Sequence, residues 1–198
     1  SGYLTAGDIK YQDTNGDGQI TDADKRRLGK SGKPRGQFGI NLNMSYKGFY
    51  LSALFQGSTK FNMYVAGSLG MQTGQTYGMP VAYDYQTDFW TPDNRDAQYP
   101  RLMANTALNQ NNNYASSDFW LINGAYLRMK DFQFGYDFKY SLLKNVSWLT
   151  RCKMGISGQN IFTISQATKY GMDPEPSDTN YYGYPVERTI ALTLNLGF

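Results

Sequence analysis

The 198-residue sequence predicts an all-β fold: antiparallel strands of a transmembrane β-barrel joined by long extracellular loops. Three observations predict it. Several stretches alternate apolar and polar residues with a strict period of two, the signature of a strand with two unlike faces. The composition favours strands and polar loops over helices, with 21 Gly and 17 Tyr. Short connections also alternate with long ones, as they do in barrels with short periplasmic turns and long outer loops.

No apolar run approaches the roughly 18 residues of a spanning helix, which excludes a helical membrane protein. The negative mean hydropathy does not exclude a membrane, because a barrel strand averages its lipid-facing and lumen-facing residues. The net charge of +3 is small and scattered, which argues against nucleic acid. There is no His, the commonest general base and transition-metal ligand. Cys152 is the sole cysteine, so no internal disulfide forms, and it is expected to face lipid or a neighbouring strand as a small apolar residue. Ser1-Gly2-Tyr3 opens without a secretory signal, so an exported protein is expected to have its N-terminal part upstream.

Taken along the chain, residues 1–35 read as an extracellular loop and residues 36–198 as barrel strands with their loops. Within the first stretch, residues 13–24 match an EF-hand-type calcium loop. Asp13, Asn15 and Asp17 occupy positions 1, 3 and 5, and Gly18 makes the sharp turn at 6. Gln19 offers its carbonyl at 7, Thr21 sits at 9 and Asp24 at 12. Asp24 stands where a signalling EF-hand has Glu, and that shorter carboxylate resembles the structural loop of dockerins. No amphipathic helix pair flanks it, which argues against a calcium sensor. The competing reading is an Asx-rich turn without metal.

The strands follow. In Gln37–Tyr46, Phe38, Ile40, Leu42, Met44 and Tyr46 alternate with small polar residues. A Lys47-Gly48 turn leads into Phe49, Leu51, Ala53 and Phe55, which predicts a β-hairpin. The long stretch Gly57–Asp118 is a loop in which Phe61–Ala66 is a candidate strand. Tyr126–Phe138 reads as one strand with Tyr126, Phe132, Phe134, Tyr136 and Phe138 on one face. Arg128 and Lys130 share that face, so either its upper end rises above the hydrocarbon or a bulge near Lys130 changes the parity. Arg151–Phe162 alternates more weakly. A second long loop, Ser165–Glu187, precedes Arg188–Phe198, where Ile190, Leu192, Leu194, Leu196 and Phe198 share one face. If this last strand runs toward the periplasm, every long loop falls outside and every short turn inside, provided the central segment adds an even number of strands.

A soluble β-sandwich also alternates, but a compact one seldom carries two such long loops. It is the basis of the rival function, a secreted, calcium-stabilised carbohydrate-binding β-domain. No nucleophile–base pair or metal triad suggests an enzyme. Asp173-Pro174-Glu175 has the look of an acid pair, yet adjacent turn carboxylates without His or metal scaffold read as structural. Trp90-Thr91-Pro92-Asp93-Asn94 reads as a turn in which Pro92 sets φ and Asp93 and Asn94 accept local backbone hydrogen bonds.

The order of several segments carries a family resemblance. Gly7-Asp8-Ile9-Lys10-Tyr11 precedes the D-x-N-G-D-G loop, and Tyr46-Lys47-Gly48-Phe49-Tyr50-Leu51-Ser52 and Phe55-Gln56-Gly57 follow. Then come Asp88-Phe89-Trp90-Thr91-Pro92-Asp93-Asn94, Tyr99-Pro100-Arg101 and Tyr126-Leu127-Arg128-Met129-Lys130-Asp131. Ser157-Gly158-Gln159-Asn160-Ile161, Asp173-Pro174-Glu175, Tyr184-Pro185 and Phe198 close the series. Together they resemble the C-terminal part of SusC/RagA-like TonB-dependent outer-membrane transporters of Bacteroidota-type bacteria.

That resemblance implies a barrel of about 22 strands around a plug, of which the plug and most of the barrel lie outside this sequence. It implies import of glycans, oligosaccharides or peptides, a SusD-like surface lipoprotein as lid, and energy from TonB. No catalytic constellation is implied. Phe198 resembles the terminal aromatic signal read by the machinery that inserts such barrels. A substrate cavity between transporter and lid makes the loop aromatics candidates: Tyr77, Tyr83, Tyr85, Trp90, Tyr114, Trp120, Tyr181, Tyr182 and Tyr184. Their rings suit stacking on sugars, and Asn111–Asn113 suit hydroxyls. Equally, these rings suit packing within the loops, packing against the lid, or the interfacial aromatic girdle.

Overall fold

A computed structural model describes residues 3–28, 32–65, 87–102, 112–175 and 186–198. Among them there is no α-helix; short 3₁₀ turns and antiparallel strands make up the regular structure. The chain divides into two compact units. One gathers the N-terminal residues through Gly32 with Met63–Ile122; the other holds Lys33–Asn62 and most of the chain from Asn123 onward.

The second unit is built on one sheet. Its strands are β1 (Gly36–Tyr46), β2 (Phe49–Thr59), β5 (Tyr126–Asp137), β6 (Arg151–Gln159) and β8 (Thr189–Gly197), in that order across the sheet. A short β7 (Thr163–Ser165) pairs with the first residues of β5. The remaining strands, β3 (Asn62–Tyr64) and β4 (Leu121–Asn123), form a separate two-stranded sheet. Of the described residues in the candidate strand Phe61–Ala66, Asn62–Tyr64 are strand, in the separate sheet. Because β2 pairs directly and antiparallel with β5, these two strands alternate in direction as the sequence reading requires.

The β1–β2 hairpin has the expected register, Tyr46 opposite Phe49, through a two-residue turn. Lys47 and Gly48 both have positive φ, 46° and 90°, which matches the primed turn whose twist suits a hairpin. At Gly48 a side chain would also meet the Tyr136 ring, with a Cβ 2.8 Å from Cε2.

β5 departs from the simple reading. Its pairing with β2 runs Leu54 opposite Asp131 and then Phe55 opposite Met129, so Lys130 is an extra residue on β5. This is the bulge alternative, and it corrects the placement of Arg128 and Tyr126 on the face of Phe132 and Phe134. Beyond the bulge Met129 and Leu127 continue the apolar face, while Arg128 sits opposite Gln56 and Tyr126 opposite Ser58 on the other. One extra residue inverts side-chain parity because the period is two. Phe138 also leaves the strand: it begins a 3₁₀ turn, Phe138–Tyr140, capped by Asp137, whose side chain accepts from the Lys139 N–H.

A second irregularity ends β6. Asn160 has φ 50°, and its side chain donates to the Glu187 carbonyl at 3.0 Å, tying the end of β6 to the approach to β8. The stretch read as Arg151–Phe162 is thus strand only to Gln159, and β7 begins just beyond it at Thr163.

Candidate functional site

The sheet has two unlike faces, and its register makes each continuous. On one, Ile40 meets Phe55, Leu42 meets Ala53 and Met44 meets Leu51. Leu51 continues to Phe134, Phe134 to Ile156, and Ile156 to Leu192. Met154 pairs with Leu194 and Cys152 with Leu196 on the same face, so Cys152 has the apolar setting expected of it. These side chains are exposed: Ile40, Leu42, Met44, Phe134, Ile156, Leu192 and Leu194 all stand open, Leu192 at 86%. An exposed apolar face this contiguous is far outside what a water-soluble sheet presents and is what a barrel wall offers to lipid.

The opposite face is small and polar. Asn41, Asn43, Gln133, Ser157, Thr193 and Asn195 lie on it, with Asn43 donating to Asn41 at 3.0 Å. Tyr50, Gly135, Gly155 and Thr193 stand in one row across four strands. The two glycines leave room for the Tyr50 ring, whose hydroxyl occupies the space a Cβ at either position would need. Lys153 Nζ lies 5.3 Å from the centre of that ring. Such a face suits a water-filled lumen.

At the end of the sheet farthest from the Lys47-Gly48 turn, the polar face carries buried charge. Arg128 is 3% exposed. Its Nε donates to Thr163 Oγ1 at 2.8 Å and Nη2 to Asp173 Oδ1 at 2.7 Å, while Nη1 pairs with Glu175. Lys130, turned by the bulge, reaches Glu175 at 2.8 Å. Asp173-Pro174-Glu175 is structural, as read from sequence, but its partners lie more than forty residues away in the chain. An arginine this buried is tolerable only with its charge and donors matched.

The N-terminal unit is organised around Asp8, whose side chain is 2% exposed. Arg101 grips it with two nitrogens, at 2.8 and 3.2 Å. Asn113, fully buried, donates to Asp8 at 2.9 Å and accepts from the Ile9 N–H at 2.8 Å. Asn112 donates to the Ile9 carbonyl, and Tyr11 donates its hydroxyl to the Asn112 carbonyl at 2.7 Å. Burial is the main cause that raises the Tyr11 pKa above its ordinary value. Gly7, with φ 89°, leaves space that the Trp90 ring fills, and its carbonyl accepts from the Arg101 N–H. The Gly7-Asp8-Ile9 passage is therefore a clamp joining segments about a hundred residues apart. Asn112 and Asn113 are engaged in it; Asn111 lies outside the described residues.

Of the nine aromatic candidates, two have described side chains. Trp120 is 3% exposed, with its ring stacked on Tyr99 at 6.4 Å and its indole N–H donated to the Asn113 carbonyl. Trp90 packs against Gly7, and its N–H donates to the Tyr99 carbonyl. Both rings pack the loop unit. Tyr114 falls in a short 3₁₀ turn, Asn112–Tyr114. Tyr77, Tyr83, Tyr85, Tyr181, Tyr182 and Tyr184 lie outside the described residues. The Thr91–Asn94 turn is present and reciprocal: the Thr91 N–H donates to the Asn94 carbonyl and the Asn94 N–H to the Thr91 carbonyl, while the Asn94 side-chain amide donates to Asp88.

In the 13–24 loop the side chains of Asp13, Asn15, Asp17 and Asp24 fold onto nearby backbone, while Asp22 pairs with Lys25 at 2.7 Å. Asp13 accepts from the Gly16 and Gly18 N–H groups at 2.6 and 2.8 Å. Asn15 accepts from the Asp17 N–H and Asp17 from the Gln19 N–H. Gly16 and Gly18 both have φ 79°, with open space where a side chain would stand, so the requirement for glycine is conformational. Thr21 caps the 3₁₀ turn Asp22–Asp24. Asp24 accepts from the Thr21 and Thr14 N–H groups, each at 2.8 Å. Those two bonds, Thr21 first, hold its carboxyl below the ordinary carboxylate range. Among the described residues no three His, Cys, Asp or Glu side chains converge as a metal cage.

No protein-family model matches the chain. Among curated proteins it is similar to three TonB-dependent receptors of Formosa agariphila. It is 28% identical to receptor P3 over 213 residues that cover the whole chain, and 28% identical to P26 over 97% of it. It is 25% identical to P39 over 98% of the chain. The chain spans about a fifth of the length of these relatives. Among solved structures it superposes on the RagAB peptide transporter with a TM-score of 0.66 at 22% identity, over 91% of this chain and 19% of that one. On the RagAB peptide importer in the "open-open" state the TM-score is 0.60 at 20% identity, over the same shares. These structures share its fold, an antiparallel sheet of barrel strands.

Proposed function

We propose that this chain, homologous along its whole length to part of the TonB-dependent receptors, forms a section of the wall and surface loops of an outer-membrane importer. The observation that carries this reading is the two-faced sheet, with an open apolar face for lipid and a polar face for a lumen. The relatives are named as receptors and transporters, in keeping with a role outside catalysis. The cargo class is glycans, oligosaccharides or peptides, and a SusD-like surface lipoprotein is the partner, with TonB acting through parts of the protein beyond this segment. The RagAB likeness favours a peptide within that class, since that transporter is described as one for peptides. Tyr77, Tyr83, Tyr85, Tyr114, Tyr181, Tyr182 and Tyr184 are the residues proposed to meet substrate or lid.

The 13–24 loop is proposed to hold a structural calcium ion at the cell surface. Asp13, Asn15, Asp17, the Gln19 carbonyl, Thr21 and Asp24 would supply hard oxygen ligands, as the spacing of an EF-hand loop requires. Each carboxylate oxygen that accepts one N–H keeps a second lone pair for a cation.

Fractionation of cells expressing the full-length protein is the test. The protein is expected in outer membranes, extracted only by detergent, and to co-purify with a surface lipoprotein. Recovery of the full-length protein as a soluble monomer without detergent would sink the reading.

A further inference from the structure

The sheet's polar face carries a segment that the transport reading does not use. After β7 the chain turns through Ala167–Tyr170, a 3₁₀ turn closed by Gly171 in the left-handed region at φ 68°, and reaches Asp173–Glu175. Three side chains anchor it: Ala167, Tyr170 and Met172 are 0%, 5% and 3% exposed. Arg128 stands on the polar face by register, so the two carboxylates it binds lie over that face too.

The charges serve this segment, not the ladder. β7 is held to β5 by backbone pairing of Tyr126–Arg128 with Thr163–Ser165. The guanidinium spends one nitrogen on Thr163 and the other two on Asp173 and Glu175. Lys130 adds a second cation to Glu175, so two positive charges face two negative ones. Asp173 also accepts the Glu175 N–H at 2.9 Å, which fixes the pair of carboxylates as one unit. A planar guanidinium that gives each nitrogen a separate acceptor, with its charge compensated, sets geometry as well as charge.

Resting on the barrel reading above, we propose that Gln166–Glu175 is a strap folded onto the lumen wall near its loop-side end, with Arg128 and Lys130 as its latch. The strap narrows the passage at that end, and loss of the latch lets it swing away from the wall. Asp173 and Glu175, 21% and 27% exposed, are the accessible half of the latch.

The experiment uses the full-length protein in intact cells. Trypsin is added outside, and cleavage after the exposed Lys169 is followed by mass spectrometry. Heat-modifiable migration in gels reports barrel assembly separately. In the wild type Lys169 is expected to resist trypsin. Arg128→Gln is expected to speed that cut about tenfold, because cleavage tracks the open population. Arg128→Lys keeps the charge without the fork and is expected to fall between. Should Arg128→Gln not assemble, the Asp173→Asn/Glu175→Gln double variant carries the same expectation with the arginine still bonded to Thr163.

An assembled variant whose Lys169 is cut no faster than in the wild type overturns the strap. So does a wild type cut at Lys169 as fast as the denatured protein. Absence of the wild type from outer membranes would instead overturn the transporter reading, so the two failures are distinguishable.

Discussion

The parity of β8 yields a prediction with a magnitude. Leu192 and Thr193 are neighbours on opposite faces: Leu192 pairs with Ile156 on the apolar face, and Thr193 with Gly155 on the polar one. The strand runs nine residues, Thr189–Gly197. At about 3.3 Å per residue and a tilt of ~40°, it spans roughly 20 Å along the membrane normal, so both positions sit near mid-membrane. An arginine replacing Leu192 would face hydrocarbon at a cost of about 2–4 kcal/mol. That is roughly a 30- to 1,000-fold loss in the folded-to-unfolded ratio, at ~1.4 kcal/mol per tenfold. An arginine replacing Thr193 would lie on the polar face beside Gly155 and the tip of the Tyr50 ring, and would reach water. It would lose only the Thr193 hydroxyl's 3.2 Å bond to the Gly155 carbonyl, a cost of about 1 kcal/mol or less. The assay is urea unfolding of the full-length protein in liposomes, read by heat-modifiable migration. Leu194→Arg and Asn195→Arg repeat the comparison one step along. Equal losses at Leu192 and Thr193, or a greater loss at Thr193, would refute the assignment of faces.

Calcium should matter to the 13–24 loop. Adding EDTA to the full-length protein should change Tyr and Trp fluorescence, calcium should reverse the change, and Asp13→Ala should abolish both. Asp24 should give the loop an acid limit. Its pKa is lowered in the folded state, so the stability it contributes is complete above the ordinary value near ~3.9 and is lost as pH falls through the folded value. Asp24→Asn should therefore weaken the loop at neutral pH and flatten its pH dependence below about 4, measured as protease susceptibility of residues 13–24 against pH. Gly48→Ala should destabilise the hairpin by at least about 1 kcal/mol, since it adds a side chain at positive φ against the Tyr136 ring. Unchanged urea unfolding in that variant would contradict the turn geometry.

How far the sequence could be read follows from the range of the interactions involved. The β1–β2 hairpin and β8 were legible because period-two alternation and a Lys-Gly turn are local signals, complete within a dozen residues. The face of Arg128 was not settled by them. A bulge adds one residue and reverses parity, and the only sequence sign was two cations at positions that an unbroken strand would point into lipid. The break at Asn160 left less trace still, because its φ of 50° is a conformation that Asn tolerates without a marker such as Gly. The stacking candidates Trp90 and Trp120 were aromatic residues in a long loop, and composition could not say which rings pack and which are free. What the two rings pack against is the Asp8–Arg101–Asn113 clamp, whose members lie 93 and 105 residues from Asp8. No window of sequence contains both ends of such a contact.

The same distance explains why the most informative charge on the sheet looked least meaningful. Asp173 and Glu175 flank Pro174 with no His or metal scaffold beside them in sequence, so they read as a turn. Their partner is 45 and 47 residues earlier, on a strand whose parity is set by the bulge at Lys130. The bulge and the latch are one device. An unbroken β5 would aim Arg128 at hydrocarbon, where it would be costly, and leave the two carboxylates uncompensated. With the extra residue the arginine turns inward, Lys130 turns with it, and the apolar face continues through Met129 and Leu127 without a charge in it. A single irregularity thus lets one strand be lipid-facing wall along its outer side and the anchor of a lumen segment along its inner side.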